Sequence, residues 1–225
     1  MRNIFIWYGQ VNTDIKGFFI TFEGPEGAGK SSQIRMLQAA LTAAGRRVTV
    51  TREPGGTPLA EAIREVVKTH HSREAVHPVT ELLLMEAARS QHVNEVILPA
   101  LREGAIVLCD RFFDSTTAYQ GGGRGLERAA VEKLNVFASL AVVPDLTVLL
   151  DLPPEKGFER ASHRIETRGQ FDRFEAETLT FHRRVRESFL RIAAENPARV
   201  KVVDADRDRE TIHREIMELV DELVR

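Results

Sequence analysis

Eight consecutive residues, Gly24-Pro25-Glu26-Gly27-Ala28-Gly29-Lys30-Ser31, place three glycines, a lysine and a hydroxyl in the pattern G-x-x-x-x-G-K-[ST]. The chemistry of that spacing is anion binding by backbone. Glycines reach backbone angles closed to bulkier residues and put no side chain in the way, so successive N–H groups can turn inward to phosphate oxygens. A helix starting here adds about half a positive charge at its N-terminus. Lys30 would then bridge the β- and γ-phosphates of a nucleoside triphosphate as a mobile charge, and the Ser31 hydroxyl would be a ligand of Mg²⁺. The residues expected around that triphosphate are Gly24, Glu26, Gly27, Ala28, Gly29, Lys30, Ser31 and Ser32.

The flanks suit such a loop. Phe18 to Phe22 is aromatic and β-branched enough for a buried strand, and Ile34, Leu37, Leu41 and Ala44 recur at helical spacing behind it. Four more short β-rich runs follow, at Val48 to Thr51, Ile106 to Cys109, Leu146 to Leu150 and Val200 to Val203, with helical patterns between them. This alternation predicts an α/β fold with a five-stranded parallel sheet covered by helices on both faces. Ligands gather at the carboxyl ends of such strands, so the polar residues after each run matter most: 26–31, 52–56, Asp110-Arg111 and Asp151.

Among the connections, Thr57 is expected to cap a helix through Arg64 and Lys68, and a longer helix to run from Val79 to about Leu101, interrupted near Pro99. Gly121 to Gly125 reads as a loop. Leu126 to Ala141 reads as a helix with Leu134, Phe137 and Leu140 on one side. The stretch from Arg160 to Arg173 is basic, poor in apolar residues, and reads as a lid loop. A final helix from about Arg209 buries Ile212, Ile216, Leu219, Val220 and Leu223.

Length bounds the rest: 225 residues suit one domain spanning 17–225, with residues 1–16 an N-terminal extension of unassigned role. A net charge of −2 and a pI near 6.4 give no global reason to expect nucleic acid or an acidic membrane as partner. A single cysteine, Cys109, excludes an internal disulfide and a cysteine-cluster metal site and suits the cytoplasm. The short apolar run Ile4 to Tyr8 is too brief for a signal-peptide core or a membrane span.

A phosphate loop alone says only that a nucleoside triphosphate is held. The chain lacks the Asn-Lys-x-Asp pattern of a GTPase and has no Asp-x-x-Gly switch after the phosphate loop. It does carry Arg64, Arg89 and Arg111 on or beside elements facing one crevice, with Arg160, Arg164 and Arg168 on the lid. Arginine grips phosphate as a planar fork, and phosphoryl transfer needs cations between donor and acceptor. An acceptor that is itself a phosphate needs no general base, because it is largely dianionic above about pH 6.

From Gly17 to Arg225 the chain resembles the thymidylate kinases. The resemblance rests on 22–31, on Thr51-Arg52-Glu53-Pro54-Gly55-Gly56-Thr57, on Ala87-Ala88-Arg89 with Gln91-His92, and most specifically on 110–121, Pro144-Asp145-Leu146 and 151–155. It implies a P-loop NTPase fold, transfer of phosphate from ATP to dTMP with Mg²⁺, and a homodimer. It also implies roles: Glu26 for the sugar 3′-hydroxyl, Arg64 and Arg111 for the dTMP phosphate, Arg89 and Gln120 for the thymine edge. Thr116 would line the base pocket, Tyr119 would lie against the deoxyribose, Asp110 would stand beside Mg²⁺, and Glu53 would share that polar neighbourhood. Lys30, Asp110, Arg111 and a lid arginine, Arg168 first, form the expected catalytic set.

Two departures stand out. Met85 replaces the family's usual stacking phenylalanine, and the lid is longer than in compact members. The competing readings are a kinase for another pyrimidine monophosphate, such as UMP or dUMP, and a non-catalytic nucleotide-binding module.

Overall fold

The computed structural model describes residues 4–6, 9–11, 15–69, 74–160 and 173–224. Two short strands, β1 (Ile4–Ile6) and β2 (Gly9–Val11), pair antiparallel as a separate hairpin, Ile4 opposite Val11. The main sheet comprises β3 (Phe18–Glu23), β4 (Val48–Arg52), β5 (Ile106–Asp110), β6 (Leu146–Asp151) and β7 (Val200–Asp204). Its order is β4-β5-β3-β6-β7, and every neighbouring pair is parallel.

Each strand runs one residue beyond its apolar stretch, onto Glu23, Arg52, Asp110, Asp151 or Asp204. Parallel pairing carries them on: Phe22 and Arg52 both register with Asp110, and Asp151 with Asp204. Charged side chains thus stand on the carboxyl rim of a rigid sheet rather than in the loops after it.

Strand alternation divides the core. Ile20 and Phe22 of β3, Ile106 and Leu108 of β5, and Leu146, Val148 and Leu150 of β6 face one side. There they meet α1 (Lys30–Ala43), through Ile34, Leu37 and Leu41, and α9 (Arg209–Val224), through Ile212, Ile216 and Val220, with Leu219 and Leu223 at its margin. Phe19, Val107 and Cys109 face the other side, against Val93, Ile97, Leu98 and Leu101. Leu37 is fully buried, and truncating it to alanine would cost about 2–5 kcal/mol.

The helices that carry site residues depart from the sequence expectation in four places. Helix α2 (Pro58–Lys68) starts as read, with Ala60 N–H donating to Thr57 Oγ1 at 3.1 Å. Helix α3 (Pro78–His92) passes through one wide π-helical turn, Val93–Ile97, into α4 (Leu98–Arg102). The interruption thus precedes Pro99, whose missing N–H leaves the continuous helix one backbone hydrogen bond short beside the wide turn. Likewise α5 (Phe113–Thr116) runs into a second π-helical turn, Thr117–Gly123.

The Gly121–Gly123 stretch is therefore helical, not a loop. Its glycines serve close packing: a Cβ on Gly122 would lie 2.6 Å from Ser188 Cβ, and one on Gly123 2.6 Å from the Phe181 ring, both on α8 (Leu179–Glu195). Helix α6 (Arg128–Ala138) is shorter than expected, because Glu127 caps it by accepting from the N–H groups of Ala129 and Ala130. Its buried face is Val131, Asn135 and Ala138; Phe137 is 47% exposed. Residues 154–160 form α7, so Arg160 belongs to a helix. Residues 161–172 of the expected lid, including Arg164 and Arg168, lie outside the described residues, while Arg173 at its end is described.

Candidate active site

The phosphate loop leaves β3 at Gly24 and enters α1 at Lys30. Gly24 (φ 129°) presses on the Leu150 carbonyl, and a Cβ on Gly27 (φ 77°) would lie 2.5 Å from the Gly157 carbonyl oxygen. These two contacts wedge the loop between β6 and α7. Lys30 Nζ donates to the carbonyls of Gly24 at 3.1 Å and Pro25 at 2.9 Å, closing the loop on itself. Burial, with Arg111 close by, draws the Lys30 ammonium below its ordinary pKa, while Glu26, Asp110 and Glu23 oppose that shift. Ser31 Oγ donates to Asp110 Oδ2 at 3.1 Å, joining the two residues expected beside Mg²⁺.

A single cavity of about 710 Å³ opens from this loop over the carboxyl rim. Of the loop residues, Glu26, Gly27, Gly29, Lys30, Ser31 and Ser32 line it. Gly24 and Ala28 support it from behind, Ala28 within the core under the sheet.

Arg111, directly after β5, occupies the middle of the cavity. Its backbone is left-handed (φ 72°), held by donation of its N–H to the Phe22 carbonyl at 2.9 Å. That turn sends the guanidinium back across the cleft. Nη1 donates to Ser115 Oγ at 3.0 Å, and Nη2 to Glu26 Oε1 at 2.9 Å and Tyr119 Oη at 3.2 Å. Burial works against the Glu26 charge, but Arg111 and Lys30 outweigh it and hold the carboxyl well below the usual carboxylate range.

Beneath Arg111 lies Glu23, fully buried. Its Oε1 accepts from Phe112 N–H at 2.7 Å and Ser115 N–H at 3.3 Å, and its Oε2 from Ser115 Oγ at 2.5 Å. Desolvation, reinforced by Asp114, pushes the Glu23 carboxyl up to about 7 against the pull of Arg111. Burial likewise pushes the Tyr119 hydroxyl up to about 12, so it stays a neutral donor.

The far end of the cavity is organised by Arg89, only 3% exposed. Nε donates to Glu53 Oε2 at 2.8 Å, Nη1 to Glu86 Oε2 at 2.8 Å and Asn135 Oδ1 at 2.9 Å, and Nη2 to Thr116 Oγ1 at 2.8 Å. Four bonds use four of its five N–H groups, leaving one Nη2 hydrogen. Glu53 is braced in turn by His92, whose ring bridges Glu53 Oε1 at 3.1 Å and Thr51 Oγ1 at 2.6 Å. Gln120 lines the same end, its Nε2 donating to Glu81 Oε1 at 2.8 Å. Met85 and Arg64 complete the wall, Arg64 donating to the Pro54 carbonyl at 2.8 Å.

The residues expected at the acceptor end, Glu26, Glu53, Arg64, Met85, Arg89, Arg111, Thr116, Tyr119 and Gln120, all line this one cavity, as do Lys30, Ser31 and Asp110. Arg160 does not: it donates to the Ala205 carbonyl at 3.0 Å and pairs with Asp206 at 3.2 Å, behind the phosphate loop. Sequence reasoning missed Glu23, Glu81, Glu86, Ser115 and Asn135. A signal existed for Glu81, which precedes Met85 and Arg89 at the i, i+4, i+8 spacing of one helix face.

A glycine loop at one end of a parallel-sheet cleft and a fixed arginine array at the other make this a P-loop nucleotide-binding protein with room for two phosphorylated ligands. The family model described as thymidylate kinase matches residues 22–216, and the chain belongs to the thymidylate kinase family. It is 54% identical to thymidylate kinase of Citrifermentans bemidjiense over 194 residues, covering 85% of this chain and 86% of that one. With thymidylate kinase of Deinococcus radiodurans it shares 50% identity over 207 residues, 92% of this chain and 98% of that one. The crystal structure of thymidylate kinase from Ehrlichia chaffeensis superposes with a TM-score of 0.73 at 32% identity, covering 91% of this chain and 98% of that one.

Proposed function

We propose that the chain transfers the γ-phosphoryl group of ATP to dTMP, giving ADP and dTDP. One observation carries this: the phosphate loop and the Arg89–Gln120 pocket are two ends of one cavity, with Arg111 between them. ATP phosphates lie on the loop amides and Lys30. The dTMP phosphate, itself the nucleophile, is gripped by Arg111 and Arg64, and the thymine edge meets the remaining Arg89 hydrogen and Gln120. Tyr119 and Glu26 face the deoxyribose, Glu26 accepting from its 3′-hydroxyl. Positioning and fixed cations supply the catalysis, as phosphoryl transfer demands.

Among the described residues no trio of His, Cys, Asp or Glu could cage a metal. The Ser31–Asp110 pair fits Mg²⁺, which takes most of its ligands from phosphates and water and needs only one or two from protein. When bound, Mg²⁺ neutralises charge on the β- and γ-phosphates. Arg168 remains our choice for the cation beside the transferred group, and Arg168→Ala should lower kcat about a thousandfold.

Exposed Val79 and Leu83 on α3 and Val136 and Phe137 on α6 form an apolar face on two packed helices. We assign it to a homodimer, which light scattering tests. No helix among the described residues is long and apolar enough to cross a membrane. We infer cytoplasmic action from the free thiol of Cys109 and the proposed substrates.

An ADP-release assay across dTMP, dUMP and UMP tests the function. Turnover greatest with dTMP, and abolished in Lys30→Ala, is the expected result. Equal turnover with UMP would replace dTMP as the substrate, and none with any monophosphate would leave a binding module.

A further inference from the structure

Glu81 has no place in the transfer reaction, yet it is a fully buried carboxylate against the acceptor end of the cavity. Three side chains converge on it. Gln120 Nε2 donates to Oε1 at 2.8 Å, Arg124 Nε donates to Oε1 at 3.1 Å with its Nη2 3.1 Å from Oε2, and Arg173 Nη1 lies 2.6 Å from Oε2. The two Oε2 contacts are close ion pairs without hydrogen-bond alignment, so the aligned bonds fall on Oε1.

The same two arginines hold an aromatic wall. Arg173 lies 4.6 Å from the centre of the Phe174 ring and Arg124 5.8 Å from it, and Phe174 meets Tyr119 edge-on at 6.1 Å. Phe174 and Tyr119 both line the cavity. Arg173 is tied independently to the end of α2: its Nε donates to the Val67 carbonyl at 2.9 Å and its N–H to the Lys68 carbonyl at 3.2 Å.

We propose that Glu81 is a positioning residue that sets which face of the Gln120 amide a pyrimidine meets. A carboxylate clamped by two guanidiniums offers only acceptors, so it selects the Gln120 NH₂ and turns the carbonyl oxygen away, toward the cavity. A presented acceptor matches the N3–H of thymine and opposes the N3 lone pair of cytosine. Glu81 thereby contributes to base selection without touching the base. This rests on the proposed dTMP kinase activity and on Gln120 reading the base edge.

The test is a double-mutant cycle in the full-length enzyme, Glu81→Gln with Gln120→Ala, reading KM for dTMP, KM for ATP and the dTMP to dCMP preference. Glu81→Gln, which offers Gln120 either an oxygen or an NH₂, should raise KM for dTMP about tenfold, lower the preference for dTMP over dCMP about tenfold, and change KM for ATP less than about twofold. In the Gln120→Ala background the same substitution should change KM for dTMP less than about twofold. Glu81→Asp, which keeps the charge, should restore most of the preference; if Glu81→Gln does not fold, Glu81→Met, which removes both acceptor oxygens, takes its place in the cycle with the same expected changes.

Additive losses, a parallel rise in KM for ATP, or an unchanged base preference would each overturn the assignment. Absence of dTMP turnover in the unmutated protein would instead reject the dTMP kinase activity itself.

Discussion

Arg111 Nη2 lies 2.9 Å from Glu26 Oε1, joining residues 85 positions apart in the chain across the middle of the cleft. The pair keeps an arginine and a carboxylate charged where we propose that triphosphate and monophosphate meet. Glu26 is held ionised far below the usual carboxylate range by Arg111 and Lys30, which outweigh its partial desolvation. The ratio of kcat/KM for dTMP between the unmutated enzyme and Glu26→Gln should therefore stay flat from about pH 5 to 9. Steady-state profiles of both proteins check this; a step in the ratio between pH 5 and 9 would mean that the pair does not hold in solution.

Glu23 gives the opposite pH signature. Its carboxyl is raised to about 7 from an ordinary 4.5, so the folded protein binds that proton more tightly than the unfolded chain. The stabilisation is complete below pH 4.5 and is lost as pH rises through 7. Relative to Glu23→Gln, the unmutated protein should lose up to about 3 kcal/mol between those limits. Urea unfolding of both proteins at pH 5 and pH 8 measures the difference.

Arg89 supplies the counter-charge for two buried carboxylates. Arg89→Met should destabilise the fold by about 3–5 kcal/mol, because Glu53 and Glu86 lose their shared cation. Glu86 is already raised above its ordinary pKa, chiefly by burial. Adding Glu86→Gln to Arg89→Met should thus recover part of the loss, which denaturant midpoints would show.

The phosphate-loop glycines should differ in what they tolerate. Gly27→Ala drives a Cβ into the Gly157 carbonyl, so it should shift the loop and weaken ATP binding by at least about tenfold. Gly29 has left-handed backbone but nothing within 4 Å of a Cβ. Its alanine variant should bear only the conformational cost, about 1–2 kcal/mol, with weaker loss of ATP affinity. Calorimetric titration with a non-hydrolysable ATP analogue separates the two.

The residues proposed to touch ligands were legible because their types are dictated by chemistry: glycines and lysine for phosphate, arginines between two anions, an amide for a base edge. Strand cores were legible by composition. What escaped was the support layer. Glu23, Glu81 and Glu86 look in sequence like solvated carboxylates, and only the tertiary fold buries them against Ser115, Gln120 and Arg89. Gly121–Gly123 misled for a related reason: a glycine run signals a turn locally, but here it lets α8 approach a π-helical segment. On α6 the buried polar Asn135 replaced the expected Phe137, because its amide completes the Arg89 set while the phenylalanine faces outward.

The chain's one thiol lies in β5, fully shielded, with Cys109 Sγ donating to the Arg111 carbonyl at 3.0 Å. A reagent can alkylate it only after the strand that ends beneath Arg111 has come away from its neighbours. The rate of that labelling is an intrinsic clock for breathing of the sheet at its centre, and a saturating nucleotide pair should slow it without any engineered probe.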